Sequence, residues 1–127
     1  MLVSEEEETL WPRVLRRALA PLGELRILSE EKAVQVVTTS PVPLVILDAA
    51  AVQDVAGLTS RLKRERPDLH VVVATASPTW RRARQALQAG ASDYIRKSLD
   101  EEELRAQIEA VLHLSPPHAF NDRGDKR

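Results

Sequence analysis

The sequence predicts an α/β domain in which five strands alternate with five helices around a single parallel sheet. Three observations predict it. The runs Leu44-Val45-Ile46-Leu47 and Val71-Val72-Val73-Ala74 are short, apolar and bounded by turn signals, as expected of strands buried on both faces. Between such runs, apolar residues recur at helical spacing, and strand–helix alternation implies parallel strands, right-handed crossovers and helices on both faces. The chain has 127 residues, 43% of them hydrophobic and only 3% aromatic, which suits one domain with an aliphatic core.

Leu2-Val3-Ser4 has room only for a short first strand. Trp11, Val14, Leu15, Ala18, Leu19 and Leu22 then form a helical stripe, with Gly23 in a C-cap position. Glu24–Leu28 reads as a second strand whose Arg26 suggests a sheet edge. Ser29 fits an N-cap for a helix carrying Ala33, Val34 and Val37. Pro41 and Pro43 lead into the third strand, which ends at Asp48. Val55, Leu58 and Leu62 mark a helix stopped by Pro67. After the fourth strand, Val71–Ala74, the pair Ser77-Pro78 reads as an N-cap followed by proline at the first helical position, opening a helix through Ala83 and Leu87 to Gly90. Tyr94-Ile95-Arg96 is the fifth strand. Leu104, Ile108, Val111 and Leu112 mark the last helix. The domain is expected over residues 1–114, and Pro116-Pro117 with the polar stretch 121–127 reads as a disordered tail over 115–127.

Charge and composition exclude several functions. With 18 basic and 19 acidic residues, the net charge of −1 gives no chain-wide footprint for nucleic acid. The absence of cysteine excludes disulfides, thiolate catalysis and cysteine-based zinc sites. No apolar stretch approaches the roughly 20 residues that cross a bilayer. The acidic start, Glu5 to Glu8, is unlike a signal peptide, and a cytoplasmic location is expected. His70, His113 and His118 have no ligand spacing, and neither a Gly-rich phosphate loop nor a Ser-His-Asp order is present.

Asp48 is the residue that calls for a function. A carboxylate where a doubly buried strand emerges is costly unless it is used, and in open α/β sheets ligands and chemistry collect at the strand carboxyl ends. A five-stranded sheet in the order 2-1-3-4-5 has its switch point between strands one and three, which brings the glutamate run and Asp48 to one crevice. Thr75 and Lys97 each follow a strand and are further candidate partners. Each has a structural alternative: Asp48 as a turn residue or helix cap, the glutamates as a solvated first helical turn favoured by the helix dipole, Thr75 as a strand-end hydroxyl, Lys97 as a surface lysine, and Tyr94 as a residue packed at the sheet edge.

Taken together, Asp48, Thr75-Ala76, Ala89-Gly90-Ala91, Asp93-Tyr94 and Lys97 resemble the receiver domain of two-component response regulators, over about residues 2–113 and most densely over Val71–Leu112. The resemblance implies a flavodoxin-like (βα)5 fold in which Asp48 is the phosphoacceptor. It implies Mg²⁺ held by Asp48, the backbone carbonyl of Ala50 and a nearby acidic side chain. Lys97, Thr75 and Ala76 are then the phosphate-contacting residues, and Thr75 and Tyr94 the switch pair. The implied partners are a sensor histidine kinase or phosphotransfer protein, and a second copy docking through the fourth helix, fifth strand and last helix, where Trp80, Arg81, Arg84 and Arg105 form an interface set. Nucleic acid and membrane are not expected partners, and no enzymatic turnover is expected beyond the domain's own phosphoryl transfer and hydrolysis.

The chain departs from that family in three places. The usual pair of adjacent aspartates after the first strand is absent. Counting back from the Leu22-Gly23 helix end puts Glu6 and Glu7 in register, with Glu5 as a one-residue alternative. Val52 stands where the family has a proline after the phosphoacceptor, and Ser98 replaces the proline after the lysine. That bond is usually cis in receivers, and a cis Lys97–Ser98 bond would cost about 2.5–4 kcal/mol. Ser98 also opens a capping box, Ser98-Leu99-Asp100-Glu101, and Asp100-Glu101-Glu102-Glu103 fits a second register equally. These departures keep a degenerate, phosphorylation-independent pseudo-receiver as the alternative, with an unrelated flavodoxin-like binder or enzyme behind it.

Overall fold

A computed structural model describes residues 2–3 and 10–113. The glutamate run, the tail and His118 lie outside the described residues. The elements are β1 (Leu2–Val3), α1 (Leu10–Leu19), β2 (Ile27–Leu28), α2 (Glu30–Thr39), β3 (Leu44–Asp48), α3 (Val55–Glu65), β4 (His70–Thr75), α4 (Trp80–Gln88), β5 (Asp93–Arg96) and α5 (Glu101–Leu112). The sheet runs β2-β1-β3-β4-β5, with every neighbouring pair parallel, which is the expected 2-1-3-4-5 order.

Alternate strand residues point to opposite faces, and that parity sorts the core into two layers. Leu44, Ile46, Val72, Ala74 and Ile95 pack with residues of α1 and α5 such as Leu15, Leu104 and Ile108. Val45, Leu47, Val71 and Val73 pack with Ala33, Val37, Leu58, Leu62 and Ala86 of α2, α3 and α4. β3 and β4 are buried at every residue, so their sequences read as continuous apolar runs.

Several boundaries differ from the sequence expectation, each for a local reason. α1 stops at Leu19, because Pro21 has no N–H to continue the helix; the turn closes with Gly23 N–H donating to the Leu19 carbonyl at 3.1 Å. Leu22 therefore lies beyond the helix and is partly exposed. The second strand keeps only Ile27–Leu28. α4 begins at Trp80 and is capped by Thr79, not Ser77. The Ser77 N–H donates to Thr75 Oγ1 at 3.1 Å, which closes a side-chain turn and leaves Thr79 Oγ1 to accept from Arg82 N at 3.2 Å. Leu87 is half exposed, and α4 buries only Ala86. Ser29 caps α2 as expected. At α5 the second register holds: Asp100 Oδ1 accepts from Glu102 N and Glu103 N, and Ser98 Oγ accepts from Asp100 N. The described residues contain no cis peptide bond, so Lys97–Ser98 is trans.

The end of the sheet away from Asp48 is tied by one lysine. Lys63 Nζ donates to the carbonyls of Pro67 and Leu69, each at 2.7 Å. Gly90 lies against it with φ 114°, a backbone conformation that favours glycine, and a Cβ there would come within 3.1 Å of Lys63 Cγ. His70, at the start of β4, is buried, and its Nδ1 is 3.1 Å from Ser92 Oγ. Burial, and then the nearby Lys63 charge, lower the His70 pKa below its ordinary 6.5.

Two predictions follow from this end of the molecule. The unfolded chain takes up the His70 proton before the folded one does. Its contribution to stability is therefore complete above pH 6.5 and declines as pH falls below it. Urea midpoints measured across that range should fall more steeply for the native chain than for His70→Gln; parallel curves would remove the histidine from the acid limb. Gly90→Ala should cost on the order of 1–3 kcal/mol, read as a lowered urea midpoint at unchanged slope.

Candidate functional site

The carboxyl ends of β3, β4 and β5 bring together the three residues singled out from sequence. Asp48 is the last residue of β3 and pairs in register with Ala74; Thr75 is the last of β4 and pairs with Arg96. Lys97 follows β5 directly, and its backbone N–H donates to the Thr75 carbonyl at 2.8 Å, which fixes where its side chain starts. Lys97 Nζ then reaches Asp48 Oδ1 at 2.8 Å. The same oxygen accepts the Ala50 N–H at 3.0 Å, and Ala51 N–H donates to the Asp48 carbonyl at 2.9 Å, so the turn after β3 is built around this one residue. Asp48 is 5% exposed. Burying a carboxylate to this degree is tolerated because it is paired with a cation and hydrogen-bonded.

Strand parity divides the site between the two faces of the sheet. Asp48 shares the parity of Leu44 and Ile46, and Lys97 that of Ile95, so both belong to the α1/α5 face. Thr75 follows Val71 and Val73 on the other face, where Tyr94 packs against the α2–α3–α4 cluster. Tyr94 lies beside Val73 in the β4–β5 register, two residues before Thr75. Its hydroxyl is buried with no hydrogen-bond partner among the described residues, and its ring borders a cleft of about 340 Å³ between the β3–α3 loop and α4, lined also by Val52, Arg82 and Gln85. Ala76 is exposed in the β4–α4 loop next to Thr75.

One site residue escaped the sequence reading. Trp11, in the first turn of α1, is buried, and its ring centroid is 5.2 Å from Lys97 Nζ. Trp80, in the first turn of α4, is 81% exposed. Trp11 is the tryptophan next to the chemistry.

Of the expected metal ligands, Asp48 and Ala50 lie within the described residues. Among the described residues no group of three or more His, Asp or Glu side chains forms a metal cluster. Asp48 and the Ala50 backbone are at the site, and oxygen donors of this kind suit a hard divalent cation such as Mg²⁺. Glu6 and Glu7 lie outside the described residues; in sequence they come just after β1, whose Val3 pairs with Leu47 one residue before Asp48.

The interface set separates. Arg81 and Arg84 are exposed on α4 beside Trp80, and helical spacing puts Trp80, Arg84 and the half-exposed Leu87 on one face. Arg105 does not join them. Its Nε donates to the Ala18 carbonyl at 2.8 Å, fastening α5 to the end of α1, where Arg17 also pairs with Glu101. No helix among the described residues is long and apolar enough to cross a membrane.

Known proteins share this arrangement. A family model described as the response regulator receiver domain matches residues 11–109. The chain is 32% identical over 123 residues to the DNA-binding transcriptional regulator NtrC of Azospirillum brasilense, covering 94% of this chain but only 25% of that protein. Among solved structures, a response regulator from Thermotoga maritima superposes with TM-score 0.80 at 23% identity, covering 90% of this chain and 96% of the other. An atypical orphan response regulator, described as revealing a phosphorylation-independent regulatory mechanism, superposes at 0.74 with 22% identity, covering 91% and 96%.

The Asp48–Lys97 pair sets the prediction for this site. Lys97→Met removes the cation from a buried carboxylate and should cost about 1–3 kcal/mol in Mg²⁺-free urea unfolding. Adding Asp48→Asn should recover part of that loss, because the uncompensated charge disappears with it. Simple additivity of the two single losses would show that the pair does not couple.

Proposed function

This chain belongs to the response regulator receiver domain family, and on that premise we propose that it is a phosphorylatable receiver whose acceptor is Asp48. The observation that carries the reading is the Lys97–Asp48 contact at 2.8 Å on a carboxylate buried at the end of β3. An Asp48 carboxylate oxygen attacks phosphorus on a phosphohistidine of a sensor histidine kinase or phosphotransfer protein. The phosphorus–nitrogen bond breaks, an aspartyl-phosphate forms, and the departing imidazole takes a proton from solvent. Transfer of this kind depends on charge neutralisation and positioning more than on covalent help. Lys97 moves its ammonium from the carboxylate to a phosphoryl oxygen. Thr75, whose Oγ1 accepts the Ser77 N–H, keeps its own O–H to donate to another. Ala76, next in the loop, offers a backbone N–H to the same group. Mg²⁺, held by Asp48, the Ala50 carbonyl and Glu6 or Glu7, would supply further neutralisation of the phosphoryl charge. The domain turns over no separate substrate, and it works in the cytoplasm.

The signal passes through protein contacts. Movement of Thr75 towards the phosphoryl group alters the space beside Tyr94, and phosphate shifts the population towards the arrangement it binds more tightly. The output surface is the exposed α4 face with Trp80, Arg81 and Arg84, together with β5 and α5, open to a partner or to a second copy. A phosphorylation-independent receiver is the second reading. It is favoured by the glutamates in place of an aspartate pair and by the replacement of both family prolines.

Asp48→Asn should abolish labelling by acetyl phosphate while the fold survives, since the amide is nearly isosteric but a poor nucleophile; undiminished labelling would remove Asp48 from the role. Glu6→Gln or Glu7→Gln should weaken Mg²⁺ binding where Glu8→Gln does not. Equal loss across the run would mean that only bulk charge matters. Beryllofluoride with Mg²⁺ should shift amide signals from Asp48 through Tyr94 to Trp80, and a native chain that gives no response favours the second reading.

A further inference from the structure

We propose that Trp11 is a positioning residue for this site: its indole face holds the Lys97 ammonium against Asp48. The indole and the carboxylate take the cation together, with the ring centroid 5.2 Å and Asp48 Oδ1 2.8 Å from Lys97 Nζ. A cation over an indole face is attracted by the ring quadrupole, more strongly as water is excluded. Here the lysine side chain is 19% exposed and Trp11 7%. Lysine carries a point charge on a flexible four-carbon stem and needs such a constraint if its ammonium is to stay in place. The surrounding loop does not supply one. The Thr75 carbonyl holds only the Lys97 backbone, and Ser98 Oγ is occupied with the Asp100 N–H.

The indole edge supports the same assignment. Buried indole N–H groups usually find an acceptor, yet Trp11 Nε1 is buried without one among the described residues. The ring is therefore placed by packing and by what its face meets. A π face also suits the task chemically. It holds a cation without offering an oxygen that would compete with Asp48 or with a phosphoryl group. Lys97 can then change its oxygen partner while keeping its aromatic one.

The kinetic part of this inference rests on Asp48 being the phosphoacceptor, whereas the ground-state clamp does not, and the two have separate readouts. In the full chain, ring currents should move the Lys97 ε-proton signals upfield. Trp11→Leu should return them to ordinary lysine values, and Trp11→Phe should keep part of the shift. The acetyl-phosphate labelling rate should fall roughly 3- to 30-fold in Trp11→Leu, the range of one cation–π contact, with partial rescue in Trp11→Phe. If Trp11→Leu fails to fold, 5-fluorotryptophan incorporated into the native sequence withdraws charge from the ring at nearly constant shape, and it should slow labelling in the same direction. Ordinary Lys97 shifts in the native chain would overturn the clamp. Unchanged labelling in both Trp11→Leu and the fluorinated protein would overturn its role in the reaction. A native chain that takes no label at all would instead sink the phosphoacceptor reading, and the ring-current result would still decide the clamp.

Discussion

A carboxylate buried at the end of a strand enclosed on both faces is the constraint on which the rest of this molecule turns. Left alone it would carry a desolvation penalty that a domain of this size, with a net stability of about 5–15 kcal/mol, tolerates poorly. The fold meets that cost locally. The Ala50 N–H and the Lys97 ammonium converge on one oxygen of Asp48. Lys97 can arrive only because β5 ends where its backbone is held by the Thr75 carbonyl. The lysine is delivered by the parallel register of β3, β4 and β5, so the site depends on the whole sheet rather than on a loop. An ion pair of this kind is weak evidence for stability as such. Its significance is that the cation is available to whatever charge Asp48 later carries.

The same sheet divides the site residues between its two faces. Asp48, Lys97 and Trp11 belong to the α1/α5 layer, while Thr75 and Tyr94 belong to the layer of α2, α3 and α4. Only at the carboxyl edge, where the strands stop, do the two sets come within reach of one ligand. A group bound to Asp48 can therefore draw on Lys97 from one layer and Thr75 from the other. The second contact bears on the packing next to Tyr94. That ring borders a cleft, and its hydroxyl is buried with no hydrogen-bond partner among the described residues.

Much of this was legible in the sequence, and what was not has identifiable causes. β3 was readable to the residue, because five buried positions in a row leave no periodicity to misread and a carboxylate ends them. The parallel sheet followed from alternation, and its order from the arrangement usual for five-stranded doubly wound sheets. Asp48, Thr75 and Lys97 were readable as strand-end residues in a shared spacing. The α4 start was missed because Ser77 and Thr79 both fit an N-cap and Pro78 suits the first helical position after Ser77; the bond between Ser77 N–H and Thr75 Oγ1 decides between them. Arg105 was misassigned because nothing in the sequence shows that Ala18, at distant α1, offers its carbonyl. Trp11 was hidden by its own regularity. It fits the apolar stripe of α1 with Val14, Leu15 and Ala18, so its packing role conceals the cation at its face.

The two proline departures from the family pattern are absorbed by neighbouring residues. Val52, in a proline position, is buried and fills part of the α3 layer, so the β3–α3 loop is held by packing where a ring would have stiffened it. Ser98, in the other, holds the Asp100 N–H, and Asp100 in turn caps two amides of α5. The β5–α5 turn is thus fixed by hydrogen bonds anchored in the helix, and the lysine before it is fixed from the side by Trp11. What a proline would do by restricting the backbone is done here by side chains, and side-chain contacts can be exchanged. A site assembled in this way keeps its geometry while leaving the Lys97 ammonium mobile between oxygens. The loss of both prolines is therefore compatible with a working acceptor as well as with a degenerate one.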